Sequence, residues 1–189
     1  MSTTSAPFGL AVDYHPSGVT RPTRYSILTG YASNILQNQP VKIIPSSTGV
    51  GTVAAAAIGD SFIGTFQGCE WTDSDGRRRV SNKWTASTAG TDINAYVTLD
   101  PTIVYQIQAN ATLDVSSIGK QYDYTAISAG NVTVGISQLM LDVASNATNA
   151  QLRVIGLTPG PDNAWGDAFP IVQVQVSQHQ FVAEVAQLS

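Results

Sequence analysis

Apolar and polar side chains alternate without a break through Ile171-Val172-Gln173-Val174-Gln175-Val176-Ser177. Val172, Val174 and Val176 fall on one side and Gln173, Gln175 and Ser177 on the other, the period of two that marks a strand with one buried and one wet face. The β-branched valines suit a pleated, half-buried surface. A strand cannot stand alone, so its partners must come from earlier in the chain. The pattern predicts a β-rich protein whose last long strand closes a sheet, with an outward row of Gln and Ser instead of Lys and Glu.

Shorter runs of the same character recur at 25–29, 40–44, 92–98, 103–108, 121–125, 138–143, 151–157 and 179–182. Residues 61–72 form the longest, and Gly64 and Gly68 inside it mark a bulge or a close backbone approach. Asp73-Ser74-Asp75-Gly76 reads as a tight turn with Gly supplying positive φ, and 77–84 runs back to complete a hairpin. The alanine-rich run 53–58 favours helix by propensity, but it is short and stopped by Gly59-Asp60, so strand is the better assignment. No amphipathic pattern of three helical turns is present. Short strands separated by turn signals indicate an all-β fold, a β-barrel- or sandwich-like body of short antiparallel strands. A soft break at 110–119 divides two β modules, or one continuous fold runs through it.

Residues 1–24 lack any period. Residues 1–8 are small and polar and read as a mobile arm. Pro7, Pro16 and Pro22 forbid a continuous helix through the mixture of Pro, Gly and aromatics that follows. This segment is expected to lie extended across a surface, its own or a partner's, with the β-rich body occupying 25–189.

The chain of 189 residues can bury a sizeable core without staples. Only 12% of it is charged, against about 25% in ordinary soluble domains, and the net charge is −4. Nucleic-acid binding calls for a basic field, so that partner class is not expected. Polarity comes from Ser, Thr, Asn and Gln. Such a surface is cheap to desolvate, which favours broad contact with another protein; a neutral monomer surface is the plain alternative. No apolar run approaches the length of a membrane-spanning helix, and the N-terminus lacks the basic and apolar regions of a secretory signal, so neither a membrane partner nor Sec export is expected. The single cysteine, Cys69, lies in an apolar run and reads as a buried, inert thiol.

Constellations for chemistry are thin. Asp73-Ser74-Asp75-Gly76 begins like a calcium loop, but three arginines follow where the later ligands should stand. Arg77 and Arg79 face opposite to Arg78 in a strand, and Glu70, Asp73 and Asp75 offer them cross-strand ion pairs, with a salt bridge between subunits as the functional version. His15 beside Pro16 reads as a turn residue and His179 as a hydrogen-bonding residue of a strand; with one Cys they are a poor supply of zinc ligands. No Gly-x-Ser-x-Gly elbow marks a nucleophile. Neither an enzyme, a metal nor a cofactor is expected. Trp71, Trp84 and Trp165 are core residues or the lining of a sugar site. The loop 159–170 carries Trp165 and Phe169 between turn residues, and is ordered by its own aromatics or docked on a partner.

Taken together, Pro7-Phe8-Gly9-Leu10, Tyr14-His15-Pro16-Ser17-Gly18, the stretch 64–84, and Pro161-Asp162-Asn163-Ala164-Trp165-Gly166-Asp167 leading into 171–176 resemble the small decoration, or cement, proteins of tailed-bacteriophage heads. The likeness covers most of the chain as a pattern of phrases, with no catalytic signature. It implies a β-barrel-like body bound to the outside of the capsid, on the virion's outer surface, where it bridges neighbouring capsomers of the major capsid protein. It also implies a homo-oligomer, trimer or dimer. An acidic chain would be repelled by packaged DNA, which fits the outer face. Contacts with the shell or between subunits are expected at Phe8, Leu10, Tyr14, His15, Arg21 and Arg24 of the arm, Arg77 and Arg79 of the hairpin, and Trp165 and Phe169 of the loop. The alternative function is a carbohydrate-binding β-module displayed on a virion, with Trp165 as its platform.

Overall fold

The computed structural model describes residues 2–45, 51–126 and 130–183. The strands in chain order are β1 (Ala11–Tyr14), β2 (Pro22–Tyr25), β3 (Ile35–Leu36), β4 (Pro40–Ile44), β5 (Thr52–Ala55), β6 (Gly64–Thr72), β7 (Arg78–Ser81), β8 (Lys83–Trp84), β9 (Thr91–Thr98), β10 (Val104–Gln108), β11 (Gln121–Tyr122), β12 (Gly130–Asn131), β13 (Ile136–Ser137), β14 (Leu152–Leu157) and β15 (Ile171–Val176). Among the described residues the only helical pieces are two 3-10 turns, Val115–Ser117 and Val143–Ser145. The fold is all-β, as the alternation predicts.

Two sheets carry the molecule. The first has the order β1-β10-β15-β14-β11, antiparallel throughout. β15 does not close this sheet at an edge; it is the central strand, with Val174 opposite Tyr105 of β10 and Val154 of β14. Val172 and Val174 are buried as the period of two requires, in a core with Leu10, Ile107, Leu139, Leu141 and Leu152. The amide row is only half-exposed, because a central strand is flanked on both sides: Gln173 Nε2 donates to Asp13 Oδ2 at 2.7 Å.

The second sheet has the order β2-β9-β6-β4-β5, with β7 added on β6. Its ends meet. Ser26, just after β2, bridges Thr52 of β5 in parallel, through Ser26 N–H to Gly51 O and Val53 N–H to Ser26 O. This one bridge draws the two ends together at Ser26, around Ile27, Val41, Ile63, Phe66, Trp84 and Val97, and leaves Pro22–Tyr25 of β2 paired with β9 alone. Both glycines of β6 act as anticipated. A Cβ at Gly64 would lie 1.5 Å from Thr98 O, and the register with β9 slips between Phe66 and Gly68. The turn after β6 is the expected one: Gly76 has φ 75°, and Asp73 Oδ1 accepts from the Asp75 and Arg77 amides. The run 53–58 enters β5 as a strand and then leaves the ladder.

The chain changes sheets between β9 and β10, at 99–103. The stretch 110–119, expected as a soft break, lies within the first sheet's half, where Asn110 N–H donates to Leu141 O and Gly119 N–H to Val154 O. A polar seam joins the halves. The Tyr124 hydroxyl donates to Ala56 O and Ala57 O, and Gln151 Nε2 donates to Ala57 O, Asp60 O and Tyr124 Oη. Ala56 and Phe62, from the β5–β6 connection, pack into the first core.

The expected division between an arm and a body at 24/25 falls inside β2. Residues 11–14 form an edge strand of the first sheet and 22–25 an edge strand of the second. Residues 2–10 lie across the protein's own surface. Ser2 N–H donates to Asp167 Oδ2, Ala6 N–H to Gln108 Oε1 and Leu10 N–H to Asn38 O.

Candidate functional site: a trough where the two sheets meet

Three connections converge at the junction of the sheets: 15–21 between β1 and β2, 99–103 between β9 and β10, and 178–182 after β15. They enclose an open trough of about 790 Å³. Its walls are apolar, with Val19, Leu99, Pro101, Ile103, Phe181 and Val182, and its polar groups are His15, Ser17, Arg21, Asp100 and His179 among others. Val19 (54% exposed) and Phe181 (61%) present apolar surface directly to solvent.

Asp100-Pro101-Thr102 shapes one wall. Pro101 ends the ladder because it has no N–H to donate, and the Asp100 carboxylate folds back on the turn, accepting from the Thr102 amide at 2.8 Å and its hydroxyl at 2.6 Å. His15 crosses from the opposite wall, with Nε2 3.0 Å from Asp100 Oδ2 and 3.0 Å from Thr102 Oγ1. Its Nδ1 accepts from the Ser17 amide at 3.0 Å and lies 2.6 Å from the Ser17 hydroxyl. With Nδ1 accepting, the ring proton sits on Nε2 and is donated across the trough. The Thr102 hydroxyl, then its amide, then His15 hold the Asp100 carboxyl down at about 2. The arrangement clamps the β1–β2 connection to the β9–β10 turn.

His179 forms the floor at the far end. It is buried, and its Nε2 lies 2.9 Å from Ile63 O and 3.0 Å from Leu99 O, both acceptors, so Nε2 is the protonated nitrogen. Nδ1 accepts from Phe181 N–H at 3.2 Å, which turns the chain and aims the Phe181 ring at the trough. The sequence places His179 in a strand; the structure gives it one parallel bridge to Phe62 followed by a turn.

The expected contact residues scatter. Leu10 is wholly inside the first core and is unavailable to a partner, a correction to its assignment as a contact. His15 and Arg21 come together in the trough, and Tyr14 is exposed at the end of β1 beside them. Phe8 is half-buried, its carbonyl accepting from Asn38 Nδ2. Arg24 borders a separate, smaller depression with Leu28, Thr91 and Asn94. Arg77 is exposed in the hairpin turn, and Arg79 pairs with Asp73 at 2.6 Å while Arg78 pairs with Glu70 at 2.6 Å, the cross-strand ion pairs foreseen. Trp165 packs against the first core, and Phe169 is tied to the N-terminus by its N–H to Ser2 O and its carbonyl to the Ser2 hydroxyl. Of the three tryptophans, Trp71 and Trp84 stack edge to face at 5.6 Å on the second core.

Asp100, Thr102, Val19, Phe181 and Val182 escaped the sequence reading. The Asp-Pro-Thr string is a signal for a self-capped turn, but nothing local says that His15 would reach it from 85 positions away.

Cys69 is buried, and burial pushes its thiol up to about 12. Among the described residues no cluster of His, Cys, Asp and Glu is placed to hold a metal ion, and no helix is long and apolar enough to cross a membrane.

No model of a protein family matches this chain, and neither the curated proteins nor the solved structures hold a match to it.

Proposed function

We propose that this chain is a structural adhesion protein, a cement protein that binds the outside of a tailed-bacteriophage capsid and bridges neighbouring capsomers of the major capsid protein as a homo-oligomer. One observation carries the reading: charge is sparse, only 12% of the chain, and polarity comes mainly from uncharged side chains. Some of these charges are also engaged within the chain, as Lys42 with Asp60, Glu70 with Arg78, Asp73 with Arg79 and Asp100 with His15. Such a surface loses little hydration when it is covered, and broad low-charge contact suits a protein that holds large partners together.

Stiffness supports the same reading. The chain passes from one sheet to the other between β1 and β2 and again between β9 and β10, and the His15–Asp100 contact ties the two crossings together. A body braced in this way transmits load between two capsomers without bending at a linker. Several weak contacts made at once by an oligomer then add up to firm attachment.

The test is binding to capsids of the phage that carries the gene, prepared without this protein. Co-sedimentation, and density on the outer surface in a reconstruction of the decorated particle, are the expected results. A protein that stays in the supernatant at micromolar concentration, or that appears on the inner face, overturns the reading.

A further inference from the structure

The trough at the sheet junction has an uneven distribution of charge. The Asp100 carboxylate is engaged by Thr102 and His15, both His15 nitrogens have partners, and both His179 nitrogens have partners. Arg21 stands apart: it lines the trough, is exposed, and among the described residues has no ion pair or hydrogen bond. One uncommitted guanidinium therefore faces an apolar hollow built from Val19, Leu99, Ile103, Phe181 and Val182. The complementary occupant carries an apolar group and, next to it, a carboxylate that a guanidinium can grip with two parallel hydrogen bonds.

Two features select an extended peptide over a small molecule. Ligand sites for small molecules bury most of the ligand, whereas Val19, Phe181 and Val182 are each about half exposed and leave the trough open along its length. In addition, Val19 and Thr20 make no backbone hydrogen bond among the described residues, and they lead directly into β2, an edge strand with Pro22–Arg24 exposed. Unpaired backbone beside an edge strand can accept a partner's extended chain, with the neighbouring hollow taking alternate side chains.

We propose that this trough, pre-set by the His15–Asp100 clamp, binds an extended acidic–apolar segment of a partner protein, with the partner's carboxylate on Arg21 and its apolar side chain between Val19 and Phe181. The identification of that partner as the capsid shell protein rests on the function proposed above; the chemistry of the trough does not.

The experiment titrates the 15N-labelled full chain with three probes: acetyl-Leu-Asp-Leu-Asp-amide, acetyl-Leu-Lys-Leu-Lys-amide and decanoate. The acidic peptide is expected to shift the amides of Val19, Thr20, Thr23, Phe181 and Val182, and the lysine peptide to bind about tenfold more weakly or not at all. Arg21→Glu should reverse that preference, and Phe181→Ser should weaken both peptides; an unchanged spectrum elsewhere shows that each variant is folded. Absence of shifts at millimolar peptide, equal shifts with both peptides, or indifference to Arg21→Glu overturns the proposal. Strong decanoate binding with silent peptides overturns it in favour of a small amphiphile. The two readings separate in the capsid assay. Peptide binding without capsid binding removes the cement function and leaves the trough, whereas capsid binding unaffected by Arg21→Glu removes the trough as the point of attachment.

Discussion

Thr98 and Tyr105 share a hydrogen bond of 3.0 Å where one sheet hands over to the other, and both are buried. Thr98 ends β9 and Tyr105 lies in β10, so the contact spans the crossing between the two cores. The Thr98 hydroxyl also accepts the Thr65 amide at 3.0 Å and lies 3.0 Å from the Thr65 hydroxyl. Removing one member of such a group leaves its partners dry and unpaired. Tyr105→Phe should cost about 1 kcal/mol, because it removes one hydrogen bond while the Thr98 hydroxyl keeps its contacts with Thr65. Thr98→Val should cost more, about 2–3 kcal/mol, because the buried Thr65 amide loses its acceptor as well. Urea titration followed by tryptophan fluorescence checks the order; equal costs would mean that the seam is not a connected network.

Gly64 tolerates nothing larger. Its φ is 151°, and a methyl group there would lie 1.5 Å from Thr98 O, which is backbone and cannot yield. Gly64→Ala should destabilise by about 3 kcal/mol or more, by forcing β6 away from β9. Gly59→Ala is the matched control, with φ 82° and open space around it, and should cost only about 1 kcal/mol for the backbone conformation. Thermal melts of the pair separate steric conflict from the conformational cost alone.

Folding lowers the Asp100 carboxyl to about 2, below the ordinary value of about 3.9. A carboxyl that binds its proton less readily when folded contributes stability above its unfolded value, and that contribution disappears as pH falls through the folded one. Asp100→Asn should therefore be less stable than the native chain above about pH 4, by about 1 kcal/mol or less because the carboxylate is half exposed, with the gap closing towards pH 2. Parallel denaturant titrations from pH 7 to pH 2 measure it. A gap that widens on acidification would contradict the clamp.

Removing residues 1–24 should abolish folding, since it takes away Leu10 from the first core and an edge strand from each sheet. Removing residues 1–5 loses the Ser2 and Thr4 contacts with Asp167, Phe169 and Gln108, and should cost only about 1–2 kcal/mol. Circular dichroism and soluble yield of the two truncations decide the matter. A folded, soluble 25–189 fragment would show that the first strands are accessories.

Cys69 should resist alkylation. Its thiol is buried and held up at about 12, so little thiolate is present at neutral pH. Iodoacetamide at pH 8 should leave the native chain unmodified for hours and label it within minutes in denaturant, as mass spectrometry would show.

What could be read from the sequence was local. The alternation in β15 shows which of its side chains are buried, and Gly64, Gly68 and Gly76 mark a close approach, a bulge and a turn. Which strand lies beside which is a matter of contacts between distant residues, and periodicity is silent on it; hence β15 reads as a terminal strand although β10 and β14 flank it. The run 138–143 shows a further limit. Leu139 and Leu141 are fully buried, as their apolar character requires, but the backbone makes only isolated bridges, with Leu141 N–H donating to Gln108 O. Residues 8–14 look irregular because their order depends on β10, some 90 positions away. The trough was invisible for the same reason: its walls come from three connections that meet only after both sheets have formed.

The position of β1 has a consequence for biosynthesis. All strands of the second sheet fall within residues 22–98, so that sheet has all of its own strands before the rest of the chain leaves the ribosome. Residues 11–14, synthesised earlier still, cannot pair until β10 has emerged. For most of translation the protein thus carries an N-terminal strand waiting for its place, and in a crowded polysome the first vacancy it meets can belong to a neighbouring copy.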